Sequence, residues 1–185
     1  MSMDDDDDSS SSSYSYSYSY SSCSSLNFDH RWFYDVFISF RGEDIGKSFV
    51  SHLVAALRKA RVTTYIDSGQ LHTGTELGPG LLAAIETSSI SIIVFSKNYA
   101  ESSQCLNVLQ NVMECHINDG QLAVPVFYDV DPSVVPYQKG AFGQVLRDTA
   151  KRISRKGEIE DVVSSWRNAL TEAVNIPGWN ATSFR

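Results

Sequence analysis

Residues 42–48 read GEDIGKS, and in this stretch the residue types and spacing come nearest to a known chemistry. A phosphate-binding loop has the pattern G-x-x-x-x-G-K-[ST], in which backbone amides and the lysine hold phosphate oxygens. Here the glycines are one residue too close together, and Glu43 and Asp44 would bring carboxylates to the phosphates. We therefore do not expect nucleotide triphosphate binding. The simpler interpretation is a helix start, with Asp44 near the positive end of the helix dipole.

The histidines and cysteines do not predict a metal site. Among them, only Cys115 and His116 are close in the sequence. Adjacent residues on a helix point in different directions and do not converge on one ion. No G-x-G-x-x-G dinucleotide pattern follows any predicted strand either. We therefore expect neither a metal nor a cofactor.

The turn at residues 42–48 follows a short apolar run, residues 34–40, which is rich in β-branched and aromatic side chains. Such a run is typical of a strand buried on both faces, and apolar residues then recur at helical spacing from Phe49. Ligand sites of open α/β sheets lie at the carboxyl ends of the strands, so we expect function around residues 39–44. A phosphorylated receiver domain is not favoured, because the third predicted strand ends at Ser96 rather than at an aspartate.

The rest of the chain continues the alternation of strand and helix. This alternation predicts an α/β fold, a flavodoxin-like open parallel sheet of four to five strands flanked by helices. Pro125 is expected near an edge of the sheet, because proline cannot donate a hydrogen bond to a neighbouring strand. The predicted strands are residues 34–40, 62–66, 90–95 and 122–130, with a short fifth at 178–179. The predicted helices begin near Phe49 and Pro79 and cover residues 103–116, 141–153 and 162–174.

The formal net charge of −7 comes mainly from residues 4–8, which are five consecutive aspartates. Without those five charges only −2 remains, so no basic stripe is available for nucleic acid, which is not expected as a partner. No apolar run approaches the roughly 20 residues that span a bilayer, and no signal-peptide pattern opens the chain. Three scattered cysteines do not predict a disulfide framework. These features favour the cytoplasm and no membrane partner; the nucleus is kept as a second expected location, which these features do not test.

Composition divides the chain into three parts. Residues 1–31 are acidic and then almost entirely serine and tyrosine. We expect a disordered leader there, because such a segment buries too little apolar surface to offset its ordering entropy. Residues 32–181 carry the alternating elements and form the expected domain, and residues 182–185 are its C-terminal end.

Several blocks of the sequence resemble plant Toll/interleukin-1 receptor (TIR) domains. The blocks are YDVFISFRGED, IIVFSKNYA, PVFYDVDP and WRNALTEA, at residues 34–44, 92–100, 125–132 and 166–173. With Gly178 and Trp179, they extend the resemblance over about residues 32–180.

The resemblance implies an activity, a site and partners. Plant TIR domains are N-terminal signalling modules of intracellular immune receptors; they associate with one another, and many cleave the nicotinamide–ribose bond of NAD⁺. NAD⁺ would thus be a substrate or ligand, and the Arg41 guanidinium could meet its pyrophosphate oxygens. Carried over to this chain, the NAD⁺ pocket would be lined by Ser39, Phe40, Arg41, Gly42, Gly74 and Ser96.

The likeness fails at the family's catalytic segment, Trp-Cys-Leu-x-Glu-Leu. Residues 104–109 read QCLNVL, so Gln104 stands at the aromatic position and Val108 at the glutamate position. An isopropyl group cannot stabilise a cationic transition state, and losing such a group typically costs about 10²–10³ in rate. Glu114 is almost two helical turns further on, too far to replace the missing acid.

We therefore expect no intact catalytic residue and impaired NAD⁺ cleavage. This expectation requires that no other carboxylate reaches the cleft beside Arg41. The alternative is an active NAD⁺ nucleosidase or ADP-ribosyl cyclase that uses a different carboxylate.

Ser51 and His52 stand where plant TIR domains pair through their first helices. The resemblance thus implies self-association through these two residues, with other TIR domains as partners in homo- or hetero-oligomers. An ordinary surface histidine one turn into a helix is the simpler alternative. Family members usually continue into one more helix that forms half of this contact, and that helix is expected to be absent after residue 181.

Overall fold

The computed structural model describes residues 32–45, 49–69, 77–133, 135, 141–155 and 157–181. The predicted leader, Gly74 and residues 182–185 lie outside the described residues. The elements in chain order are β1 (Tyr34–Phe40), α1 (Gly42–Ile45), α2 (Phe49–Lys59), β2 (Thr64–Asp67), α3 (Pro79–Glu86), β3 (Ser88–Phe95), a 3₁₀ turn (Tyr99–Glu101), α4 (Ser103–Asn118), β4 (Leu122–Phe127), α5 (Ala141–Ile153), α6 (Ile159–Asn175) and β5 (Trp179–Asn180).

The five strands form one parallel sheet in the order β2-β1-β3-β4-β5. The predicted open parallel sheet and its flavodoxin-like strand order are therefore confirmed. The strand β3 is central, and each of its side chains is buried or half-buried, as expected for a strand that is covered on both faces. The neighbours β1 and β3 are in register with Phe40 opposite Val94, so their carboxyl ends meet at one edge of the sheet.

Pro125 lies near the edge of the sheet, as predicted. It is paired with Ile93 of β3, whereas β5 begins to pair with β4 one residue later, at Val126. Because β5 has two residues, it leaves most of β4 uncovered on that side. Because Pro125 precedes the paired residues, its missing N–H removes no hydrogen bond between β4 and β5.

Three predicted strand boundaries were wrong by two residues or more: β3 starts at Ser88 rather than residue 90, and turns explain the other two. β2 starts at Thr64 rather than Val62, because the Val62 N–H donates to the Leu57 carbonyl at 3.0 Å and so closes the end of α2. β4 ends at Phe127 rather than residue 130, where Asp129 has a φ of 50°. Left-handed residues of this kind belong to turns and interrupt a ladder.

Both faces of the sheet are covered by helices, and each face has its own apolar cluster. Alternate residues of β1 face opposite ways, so Phe37 joins one cluster and Ile38 the other. The larger cluster contains α3, α4 and α6 and buries Trp166 completely. The smaller cluster packs α2 on the sheet through Val50 and Val54.

Candidate functional site

Five of the six predicted pocket residues meet at the carboxyl ends of β1 and β3. Ser39 and Phe40 end β1 and are buried, Arg41 and Gly42 follow it, and Ser96 directly follows β3. The Gly42 N–H donates to the Ser68 carbonyl at 2.8 Å, which brings the segment after β2 to the same place. The sixth predicted residue, Gly74, lies outside the described residues.

Arg41 is held on two sides by carboxylates. Its Nη1 donates to the Glu101 carboxylate at 2.6 Å and to the Asn98 carbonyl at 2.7 Å, and its Nη2 donates to Glu43 at 2.8 Å. The Arg41 side chain is 16% exposed, Glu101 is 42% exposed and Glu43 is 69% exposed. Burial alone would lower the pKa of Arg41, but the bonds to Glu101 and Glu43 outweigh it and raise the pKa.

Asp44 ties α1 to the loop after β3. Its carboxylate accepts from the Ser96 hydroxyl at 2.5 Å, from the Asn98 side-chain amide at 3.2 Å and from the Asn98 N–H at 3.3 Å. Asp44 does lie in the first turn of α1, where the helix dipole favours an acid. Its hydrogen bonds to two other residues nevertheless indicate that it mainly fixes the strand-end loop.

A buried carboxylate, Asp67, lies at the end of β2 and was not singled out from the sequence. Its Oδ1 accepts from Gln104 Nε2 at 2.9 Å and from the Gly69 N–H at 3.2 Å. Asp67 and Gln104 are each 3% exposed. The signal was present, because Asp67 follows a predicted strand directly and strand ends carry sites in such sheets.

Gln104 and Val108 lie four residues apart on one face of α4, and they have different surroundings. Gln104, at the aromatic position of the resembling family, binds Asp67 at the strand ends. Val108, at the glutamate position, is fully buried in the larger apolar cluster. Glu114 is exposed and accepts from Gln110 at 3.1 Å, so it does not reach the strand ends.

The nearby thiol of Cys105 is not a candidate nucleophile. Its Sγ–H donates to the Phe40 carbonyl at 3.7 Å, and the residue is fully buried. Burial raises the pKa of Cys105 to about 12. The thiolate form, which is the reactive form, is therefore negligible at neutral pH.

Impaired cleavage was expected on the condition that no other carboxylate reaches the cleft beside Arg41, and that condition fails, so the loss of cleavage does not follow from the sequence alone. Glu43 and Glu101 bind the guanidinium directly, because the loops after β1 and β3 fold over one another. Glu101 is 60 positions from Arg41 in the sequence, so their contact depends on the strand order rather than on local pattern. Among the described residues, no group of histidine, cysteine, aspartate and glutamate side chains is arranged to hold a metal ion.

Ser51 and His52 lie on the outer surface of α2, and both are exposed. They are therefore on the opposite face of the sheet from α4 and the Asp67–Gln104 contact. Every helix among the described residues is too short or too polar to cross a bilayer.

Comparison with known proteins identifies the fold and its family. Residues 33–185 match the family model described as "TIR domain". The chain belongs to the TIR domain family. Two relatives from Arabidopsis thaliana are similar over most of this TIR domain. Disease resistance protein RPP5 is 45% identical over 145 residues, which are 78% of this chain and 10% of that protein. Disease resistance protein TAO1 is 43% identical over 158 residues, which are 85% of this chain and 13% of that protein.

The TIR domain spans about a tenth of the length of these curated relatives. A solved structure with a similar fold is described as the activated Roq1 resistosome directly recognising the pathogen effector XopQ, TIR domains. It is 41% identical, has a TM-score of 0.71, and the match covers 82% of this chain and 89% of that one. The resemblance seen in the sequence motifs is therefore confirmed, and the family match covers residues 33–185.

Proposed function

We propose that this TIR domain is a plant immune signalling module that acts by association with other TIR domains and cleaves NAD⁺ poorly. Support for the signalling role comes from the relatives, which are disease resistance proteins. Support for association comes from the similar Roq1 chain, which is described as the TIR domains of an activated resistosome. The proposed location is the cytoplasm, with the nucleus as a second site.

The proposed contact surface is the exposed side of α2. Ser51 and His52 lie there, beside an open cavity of about 280 Å³ lined partly by Val50, Val54 and Ile66. Ile66 is the exposed apolar side chain of this lining, and a contact would bury it and leave the polar Ser51 and His52 at the rim. Pairing of two copies through one patch would give a symmetric dimer.

The observation that carries the proposed loss of catalysis is the burial of Val108 in the apolar cluster. The family places a glutamate at this position, and an uncharged side chain there offers no field to a developing positive charge. A second obstacle is Arg41, which already binds Glu43 and Glu101. A pyrophosphate would have to compete with these carboxylates for the N–H groups of the guanidinium.

A second candidate function is NAD⁺ cleavage assisted by a different carboxylate. Glu101 beside Arg41 favours it, and so does Asp67 at the buried end of β2. The charge of Glu101 is already offset by the guanidinium, which reduces its effect on a cationic sugar. Asp67 already accepts hydrogen bonds from Gln104 and Gly69 and is almost completely buried, which also reduces its effect. We rank this candidate second for those reasons.

Nicotinamide release from NAD⁺ distinguishes the two candidates. The purified chain is incubated with NAD⁺ and a crowding agent, beside a TIR domain that carries the family glutamate. We expect release about 10²–10³ slower from this chain, and equal rates would contradict the proposed loss. If release does occur, its disappearance in Glu101→Gln or Asp67→Asn would identify the carboxylate of the second candidate.

Association is tested separately by light scattering over a concentration series. We expect the mean mass of the chain to rise with concentration, and His52→Ala to shift that rise to higher concentration. Arg147→Ala, an exposed change on α5, is the control and should leave the curve unchanged. A constant monomer mass for the unaltered chain at all concentrations would end the association proposal.

A further inference from the structure

One surface of the domain combines an open apolar cavity with an edge of the sheet that no other described strand covers. We call it the α2–β2 face, and it is lined by Phe40, Val50, Ser51, Val54, Ala55, Arg58 and Ile66. Ile66 of β2 is 39% exposed on this face. Within the described residues β2 has β1 on one side and no strand on the other. Exposed edges of this kind are usually covered or protected, because they invite pairing.

A cluster of positive charge adjoins the α2–β2 face. Arg58 and Lys59 end α2, and Arg61 follows in the turn before β2; all three are exposed. We call these three residues the basic turn. They take part in none of the ion pairs formed within the described parts of the chain. Their charges are thus available to an acidic partner.

The chain's own N-terminal leader has the matching chemistry. Residues 4–8 are five aspartates, which we call the acidic run, and residues 14–20 alternate tyrosine with serine, which we call the tyrosine run. In an extended conformation, alternation places all the tyrosines on one side. Tyrosine offers a large apolar ring with a polar tip at little entropic cost, which suits a partly wet groove beside a strand edge.

We propose that the leader of this chain docks on the α2–β2 face of the same chain. The tyrosine run lies along the edge of β2, with its rings over Ile66 and in the cavity beside α2. The acidic run lies at the basic turn. This is strand addition to an exposed edge, in which alternate side chains fill pockets on one face of the sheet.

The connection between leader and domain is long enough for this docking. Residue 32 lies beside the start of β1, and the Asp35 N–H donates to Thr63 Oγ1 at 3.0 Å, so the leader joins the domain next to the basic turn and β2. Tyr20 and residue 32 are 12 residues apart, which spans about 19 Å as a flexible chain and at most about 40 Å when extended. β2 itself is about 13 Å long at roughly 3.3 Å per residue.

Tethering also makes weak contacts sufficient. A short flexible connection gives an effective concentration in roughly the millimolar range, so the docked state needs no high intrinsic affinity. Part of the attraction is electrostatic and acts between exposed groups, so it should weaken as salt shortens the screening length. Docking covers Ser51, which lines the cavity, and it would therefore compete with pairing through α2. The competition with pairing rests on the proposed function, whereas the docking itself does not.

Cys23 provides a probe in the full chain, because it lies between the tyrosine run and the domain. Cys105 and Cys115 are buried, and burial raises their pKa values to about 12 and about 11, so they react slowly with thiol reagents. A nitroxide attached at Cys23 broadens the amide signals of nearby residues. We expect the signals of Val50, Val54 and Ile66 to lose most of their intensity, and the signals of α6 on the other face of the sheet to keep theirs.

Variants of the full chain separate the contribution of the charges from that of the tyrosine rings. Changing the acidic run to asparagine, or the basic turn to glutamate, should largely restore the intensity of the α2 and β2 signals. Changing the tyrosines of the tyrosine run to serine should do the same, whereas phenylalanine at these positions should retain the broadening. Unchanged amide positions elsewhere in each spectrum establish that the variant is folded. The proposal would be overturned if the phenylalanine variant restored the intensity of these signals, or if none of the other variants restored it.

Mixing decides whether the leader binds its own domain. One sample of the chain carries the nitroxide but no ¹⁵N, and a second sample carries ¹⁵N but no nitroxide. When the two are mixed, broadening of the ¹⁵N-chain signals reports contacts between copies. We expect little broadening in the mixture and strong broadening within one labelled chain. Broadening of equal strength in the mixture, or absence of selective broadening in the labelled chain, would contradict docking within the chain.

Discussion

The Gln104 side-chain amide donates a 2.9 Å hydrogen bond to the Asp67 carboxylate, and both residues are almost completely buried. The bond joins the first turn of α4 to the end of β2 across 37 positions of sequence. A buried carboxylate is unfavourable unless it is hydrogen-bonded, so the amide stabilises the arrangement in which β2 ends beside α4. One of the two positions at which this chain departs from the family's catalytic segment therefore has a structural role.

Removal of the Gln104 amide should destabilise the domain. We expect Gln104→Ala to lower the free energy of unfolding by about 1–3 kcal/mol, because Asp67 loses a donor while it remains buried. The measurement is urea unfolding at neutral pH. Gln110→Ala is the matched control: it breaks an exposed bond to Glu114 in the same helix, and should change stability by less than about 0.5 kcal/mol. Equal losses in the two variants would contradict the assigned role of the amide.

Gly69 should be less tolerant of substitution than Gly120, although both have positive φ angles, 66° and 73°. A Cβ at Gly69 would lie 2.7 Å from Cys105 Sγ and 3.4 Å from the Phe40 carbonyl, whereas a Cβ at Gly120 would meet no atom within 4 Å. Gly120→Ala should thus lose about 1–2 kcal/mol of unfolding free energy through backbone strain alone. Gly69→Ala should lose more, because the buried thiol must also move. Thermal unfolding of the two variants makes the comparison, and equal losses would show that space at Gly69 is unimportant.

The fold was largely predictable because its signals are local. The nearly unbroken apolar run of residues 90–95 identified the central strand, and Pro125 identified a strand near the edge. The errors at Val62 and Asp129 are also local. Each involves a turn in which one backbone hydrogen bond or one left-handed residue overrides strand propensity.

The site was less predictable because its contacts join distant parts of the chain. The segment after β1 was located from pattern alone, yet the pattern gave no indication that Arg41 would bind Glu101, or that Asp67 would bind Gln104. Those pairs are separated by 60 and 37 positions, and they form only when the strand order brings three loops together. Helices and strands reveal their buried side through a repeating apolar pattern, but loops have no such pattern. The direction of a loop side chain depends on packing that cannot be read from a single sequence.

A glutamate placed at Val108 should show how apolar that position is. Val108 is fully buried, so the charged form of Val108→Glu should be disfavoured and the pKa of the new carboxyl raised. A raised pKa means that stability is retained below the unfolded-state pKa, near 4.3, and lost as the pH rises. Val108→Gln is the control of equal length. The two variants should be equally stable at about pH 4, and the glutamate variant should be weaker by at least about 3 kcal/mol at neutral pH. If the difference in unfolding free energy between the two variants did not change with pH, the carboxylate would lie in a polar cleft. That result would favour the NAD⁺-cleaving candidate.

The buried thiol of Cys105 should make the domain sensitive to alkali. Its pKa is raised from 9.0 to about 12, so the protonated thiol stabilises the fold below about pH 9, and this contribution is lost as the pH rises towards 12. In that interval the free energy of unfolding should fall by about 1.4 kcal/mol per pH unit on account of this one group. The free energy of unfolding, measured at several pH values between 8 and 11, should fall more steeply with pH for the unaltered chain than for Cys105→Ala. The cavity left by alanine shifts the whole curve but not its slope, so parallel curves would contradict the assignment.

The ion pair between Glu101 and Arg41 should compete with anions for the guanidinium. Both side chains are partly exposed, 42% and 16%, so the pair is screened and its contribution is small, about 0.2–1 kcal/mol. Glu101→Gln should therefore strengthen the binding of inorganic pyrophosphate by a factor of about 1.4–5, which calorimetry can resolve. Asp148→Asn, which breaks an exposed pair with Lys151 on α5, is the control for a general change in charge and should have little effect. Equal gains in both variants would indicate long-range electrostatics, whereas a gain confined to Glu101→Gln would show that the carboxylate occupies the site where a phosphate would bind.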